Sequence, residues 1–149
     1  MIVSPLLCKG IVHIPTSYVV ERGGPFFEGA PLESVPIEET RRLRLALLAA
    51  MDRGNAPISR AEVAAFRTAN MRPMLAATGA RSWYDLDKRM EGSWSLVEKD
   101  GVYQIRVDQP MKPRGWHEDK TKREEFPPGT PIDDVIARLI AMIQERAQQ

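Results

Sequence analysis

Two histidines, one cysteine and twenty carboxylates are the side chains of this 149-residue chain with the most obvious chemistry. His13 lies in an apolar, β-branched run, and His117 lies among charges. A zinc signature needs ligands spaced to share one helix face or one turn, as in His-x-x-x-His, and the two histidines are far apart. Cys8 stands alone, so it builds neither an intrachain disulfide nor a cysteine zinc site, and its setting reads as a small buried residue of a strand. No Gly-x-Ser-x-Gly elbow marks a nucleophile. Arg22-Gly23-Gly24-Pro25 lacks both the spacing and the following helix of a phosphate loop. The spacing therefore predicts no catalytic, metal-ligating or cofactor-binding residue. A triad assembles in space rather than in sequence. A small enzyme or ligand-binding domain, with a site gathered from scattered polar residues such as His13, Tyr18 or Tyr103 beside a perturbed carboxylate, thus stays open as the alternative.

Charge is grouped more tellingly. Glu28, Glu33, Glu38 and Glu39 form a stretch without a basic residue. Asp85, Asp87 and Glu91 form a second acidic group, mixed with Lys88 and Arg89. Farther on, Lys112, Arg114, Lys120, Lys122 and Arg123 outnumber Glu118 and Asp119. A charge run is ordinarily a solvated face. Its functional reading is an acidic surface that steers and mates with a basic partner. Trp116, beside Gly115 and among charges, fits an interface anchor as well as an aromatic at the edge of the core. A net charge of +1 recommends neither nucleic acid nor membrane as a direct partner. The apolar start MIVSPLLCKGIVHI is too short to span a bilayer and lacks a basic leader. Sparse cysteine use suits a reducing, cytoplasmic compartment.

Periodicity supplies the elements that must position these groups. Ile11–Ile14 and Tyr18–Glu21 read as strands broken by Pro15, and Phe26-Phe27 as part of a short one. A helix is predicted from Ile37 to Arg53, with Pro36 in its first turn, Glu38 and Glu39 at its positive end, and Leu43, Leu47, Leu48 and Met51 inward. Ser59 and Glu62 make a capping box for a helix over Arg60–Asn70 that Pro73 ends or kinks. Ser82 and Asp85 cap a short helix with Trp83, Leu86 and Met90 on one face. Asp100-Gly101 between Ser93–Lys99 and Val102–Asp108 is a hairpin signal, because a type I′ turn needs two residues tolerant of positive φ. Thr130 caps a last helix in which Ile132, Val135, Ile136, Leu139, Ile140 and Ile143 form one stripe. These elements predict one α+β domain over residues 1–149: an antiparallel sheet with a central 94–107 hairpin and helices packed on it, including the amphipathic C-terminal helix.

The order Ser82-Trp83, short helix, hairpin and capped C-terminal helix resembles the small immunity proteins of bacterial contact-dependent growth inhibition systems. In that pattern a third strand precedes Phe126. The resemblance implies a protein that binds and neutralises a cognate toxin domain, a nuclease by preference, through stoichiometric masking with no turnover and no cofactor. With the charge grouping it makes Glu28, Glu33, Glu38, Glu39, Asp85, Asp87 and Trp116 the candidate partner-binding residues.

Overall fold

A computed structural model describes residues 1–113 and 115–149; Arg114, one of the basic group, lies outside the described residues. The strands are β1 (Ile2–Val3), β2 (Leu6–Cys8), β3 (Ile11–Val20), β4 (Phe26–Pro36), β5 (Pro57–Ile58), β6 (Met90–Lys99), β7 (Val102–Pro110), β8 (Trp116–Glu118) and β9 (Glu124–Glu125). The helices are α1 (Thr40–Arg53), α2 (Val63–Thr78), α3 (Trp83–Arg89) and α4 (Ile132–Ala147). The sheet runs β4-β3-β2-β6-β7-β8, with β1 beside β6, β5 beside β3 and β9 beside β7. All pairings are antiparallel except β3 with β5. The α+β architecture with its 94–107 hairpin is as the periodicity predicts.

Two tight turns set the register. Lys9-Gly10 (φ 51° and 73°) joins β2 to β3, and Asp100-Gly101 (φ 54° and 77°) joins β6 to β7. Both residues of each pair are left-handed, the geometry that matches strand twist. Pro15 does not break β3 in two. The β3–β4 register instead shifts between Ile14 and Thr16, so the missing Pro15 N–H falls at an irregularity, where no ladder bond is lost.

Helix boundaries differ from the periodicity in three places. Pro36 closes β4 opposite Ile11, and the Ile37 N–H donates to the Gly10 carbonyl, so α1 starts only at Thr40. Glu38 and Glu39 thus precede the first turn. The Ser59–Glu62 box forms, over a short 3-10 turn at Arg60–Glu62. The helix behind it then runs through Pro73 to Thr78, where buried Met74 and Thr78 and the left-handed Gly79 cap hold the last turn. Thr130 does not cap α4. Its hydroxyl donates to the Pro127 carbonyl in the preceding turn, and Pro131 takes the cap position. The third strand before Phe126 is reduced to β8 and the two-residue β9, both on β7.

Alternation sends the two faces of the sheet to two cores. Leu7, Val12, Ile14, Val35, Trp94, Leu96 and Ile105 meet α1 and α4, whose Leu43, Leu47, Ile136, Leu139 and Ile143 are fully buried. On the other face Leu6 and Cys8 meet Met74 of α2, Ala80 of the α2–α3 connection and Leu86 of α3. Each such large side chain contributes about 1.5–3 kcal/mol on burial. Asn55, just after α1, clamps the start of the chain. It accepts the Ile2 N–H at 2.7 Å and donates to the carbonyls of Ile2 and Ser17 at 2.9 and 2.8 Å.

A candidate binding groove beside the third helix

The cap of α3 decides where its aromatics go. Ser82 Oγ accepts the Asp85 N–H at 3.1 Å, and the Asp85 carboxylate accepts the Arg81 N–H at 2.9 Å and pairs with Arg89 at 3.0 Å. The Arg89 guanidinium, with the Arg81 N–H, holds the Asp85 carboxyl below the usual carboxylate range. With the first turn so oriented, Leu86 is buried in the second core, whereas Trp83 and Tyr84 are 36% and 48% exposed. The helical spacing predicts Trp83, Leu86 and Met90 on one buried face; Trp83 instead stays partly exposed, and Met90 already begins β6. Trp83 lines a groove.

Three neighbouring cavities that share lining residues make up that groove. Its opening, of about 510 Å³, lies between Phe27 and Glu28 of β4, Arg67 of α2, and Trp83, Tyr84 and Asp87 of α3. Inward it narrows to about 120 Å³, where Glu28, Trp83 and Asp87 face Leu6, Met74 and Ser93. Outward it passes Tyr84 and Asp87 to Met111 and Trp116. The Trp116 indole N–H donates to the Asp87 carbonyl at 3.3 Å and so ties β8 to the end of α3. Cations of the chain already rest on two of the rings: the Arg67 guanidinium lies 5.4 Å from the Phe27 centroid, and the Lys88 ammonium 4.2 Å from that of Tyr84.

Glu28 is the electrostatic centre of the groove. Glu28 is half-buried and lines both the opening and the narrow part beneath α3. Burial raises its pKa, and the nearby Asp108 carboxylate adds to the rise. Asp108 accepts the Ser93 hydroxyl at 2.7 Å, and its own pKa is raised, chiefly by burial.

The sequence-predicted site residues divide. Glu28, Asp87 and Trp116 come together in the groove. Asp85 is close by but is committed to its cap and to Arg89. Glu33 lies opposite Ile14, on the face that meets α1, and pairs with Arg53 at 3.5 Å. Glu39 pairs with Arg42 at 2.8 Å, and Glu38 is exposed in the turn before α1. The run Glu28–Glu39 is thus not one acidic surface, because strand alternation and the β4–α1 turn aim its members apart. The residues of the ligand-binding alternative also scatter. His13 is 2% exposed with Nδ1 2.8 Å from Ser34 Oγ, and burial lowers its pKa. The Tyr18 hydroxyl donates to the Ala30 carbonyl, while Tyr103 packs on the opposite core with α4. Buried Cys8 has its thiol pKa raised, mainly by burial. His117 sits exposed on β8 beside Gln109. Among the described residues no three His, Cys, Asp or Glu are grouped to hold a metal ion, and no helix is long and apolar enough to cross a membrane.

Trp83, Tyr84 and Phe27 are groove residues that the charge reading does not single out. Their signal is present in the sequence: two adjacent aromatics directly after an N-cap cannot both face the core of a short helix.

No protein-family model and no curated protein matches the chain. Among solved structures, a protein of unknown function from Neisseria meningitidis is similar, with a TM-score of 0.68 at 12% identity, over 91% of this chain and 88% of its own. At that identity the likeness establishes a shared fold and nothing about the groove.

Proposed function

We propose that this protein is an immunity protein of the contact-dependent growth inhibition type, which binds a cognate toxin domain and masks its active or substrate-binding surface without turnover. One observation carries the reading. Of the five large apolar side chains exposed among the described residues, Trp83, Tyr84 and Met111 line the groove and Phe26 neighbours its Phe27 wall. Aromatic and methionine side chains around a desolvated centre are what protein interfaces enrich, and such anchors carry most of the binding energy. The carboxylates of Glu28 and Asp87 within that ring suit a basic toxin, such as a nuclease that holds phosphates. The resemblance of the Ser82-Trp83, hairpin and C-terminal helix pattern to the immunity proteins supports the same reading.

The reading expects a toxin domain encoded beside the gene, and the test is to titrate that domain with the protein. Inhibition should saturate at one protein per toxin, and the toxin should be recovered with unchanged mass. Protection at a small fraction of one equivalent, with a chemically altered toxin, would replace masking with catalysis.

A further inference from the structure

Resting on that docking reading, we propose that the inner end of the groove, at Glu28 with Asp108 behind it and Trp83 beside it, is a socket for one arginine side chain of the partner protein.

The first ground is an unmet need. Among the described residues Glu28 has no hydrogen bond or ion pair to another side chain, although Arg67 lines the same opening. Arg67 is turned to the Phe27 ring instead. The half-buried Glu28 carboxylate lines both parts of the groove with no described cation of the chain on it, and a cation delivered there gains a charge-assisted hydrogen bond. Ser93, on the wall of the narrow part, donates its hydroxyl to Asp108 at 2.7 Å, which places a second carboxyl group behind that wall.

The second ground is shape. The opening is wide enough for a chain segment, while the part under α3 is less than a quarter of that volume. A segment crossing the opening can send one long side chain inward. Trp83 borders both parts and offers a flat ring beside the path.

The third ground separates arginine from lysine. A guanidinium is planar, stacks on aromatic faces, sheds water more readily than an ammonium and presents paired N–H donors to a carboxylate. Ring faces and carboxylates are both what this socket offers, and Arg67 over Phe27 shows the rim already accepting that stacking.

The probe is N-acetyl-arginine N-methylamide, titrated into isotopically labelled protein and followed by NMR. The Trp83 indole N–H and the Glu28 side-chain carboxyl resonance should move together and saturate at millimolar probe. The citrulline analogue, neutral and nearly the same shape, should bind at least tenfold more weakly, and the lysine analogue more weakly than arginine. Glu28→Gln should lose at least tenfold in arginine affinity, with Glu38→Gln unchanged as the control. Equal binding of citrulline or lysine, full arginine affinity in Glu28→Gln, or shifts confined to other residues would overturn the socket. The two proposals fail separately. Arginine capture without any toxin complex would keep the socket and remove the immunity reading. Tight one-to-one toxin binding that survives Glu28→Gln would do the reverse.

Discussion

The ring of Trp94 occupies the space that a side chain on Gly92 would need. A Cβ built on Gly92 lies 2.3 Å from one Trp94 ring carbon and 2.8 Å from the next. Trp94 is 2% exposed and stands between the sheet and α4, so the ring has little room to yield.

Gly92→Ala should therefore destabilise the fold by about 1–3 kcal/mol, the usual cost of overpacking a filled core. Urea unfolding measures it. In a Gly92→Ala/Trp94→Phe double variant the two losses should add to less than their sum, because the smaller ring relieves the clash. Strict additivity would show that the two residues do not share this space.

Asn55→Ala should cost about 1–3 kcal/mol, since it leaves the Ile2 N–H and two carbonyls without their partner. Hydrogen exchange should report the loss locally. The amides of β1 and of β3 near Ser17 should exchange faster, while those of the β6–β7 hairpin keep their protection.

Acid and base act on opposite sides of the stability curve. Burial lowers the His13 pKa, so as pH falls through about 6.5 the unfolded chain takes up this proton first. The contribution of His13 is present above that pH and is lost on the way down to the folded value. Glu28 and Asp108 have raised pKa values, so the native state keeps protons that the unfolded chain has released. Their contribution is full below the ordinary carboxylate range and declines as pH rises through the folded values. Urea midpoints from pH 4 to 8 should show Glu28→Gln more stable than the parent at pH 7, with the gain shrinking toward pH 4. His13→Gln should flatten the slope between pH 5 and 7.

The split of the acidic run gives a binding prediction. Glu38→Lys with Glu39→Lys should leave the rate of association with the toxin within a few-fold of the parent, because neither lies in the groove. Trp83→Ala should weaken the complex about 30-fold or more, the effect of losing an anchor worth about 2 kcal/mol. Surface-immobilised toxin with both variants in solution measures the two together. The reverse ranking would move the interface to the start of α1.

What could be read from the sequence is what local physics determines. The α4 stripe from Val135 to Ile143 is buried as its spacing requires. The Asp100-Gly101 turn and the Ser59 and Ser82 caps form at the predicted residues. What could not be read depends on distant partners. β4 holds Gly29, Pro31, Pro36 and two glutamates, a composition that argues against a strand, yet as an edge strand with one neighbour it tolerates them. β9 is two glutamates whose strand character comes only from Gln104 and Ile105 across the gap. The groove follows the same rule. Glu28 and Asp87 are distant in sequence, and it is the packing of α2 and α3 on the second face of the sheet that brings them to one opening.

That edge strand has one more consequence. A bare strand edge invites another chain to add itself as the next strand, which is how soluble proteins begin to stack into fibres. In the middle of β4 the docking signal is missing. Asn70 of α2 takes the Ala30 N–H at 2.9 Å, and Pro31 has no N–H to offer. An incoming strand would find two successive positions that donate nothing, and α2 against β4 besides. The helix that helps wall the groove thus also keeps copies of the protein from laddering onto one another when crowded.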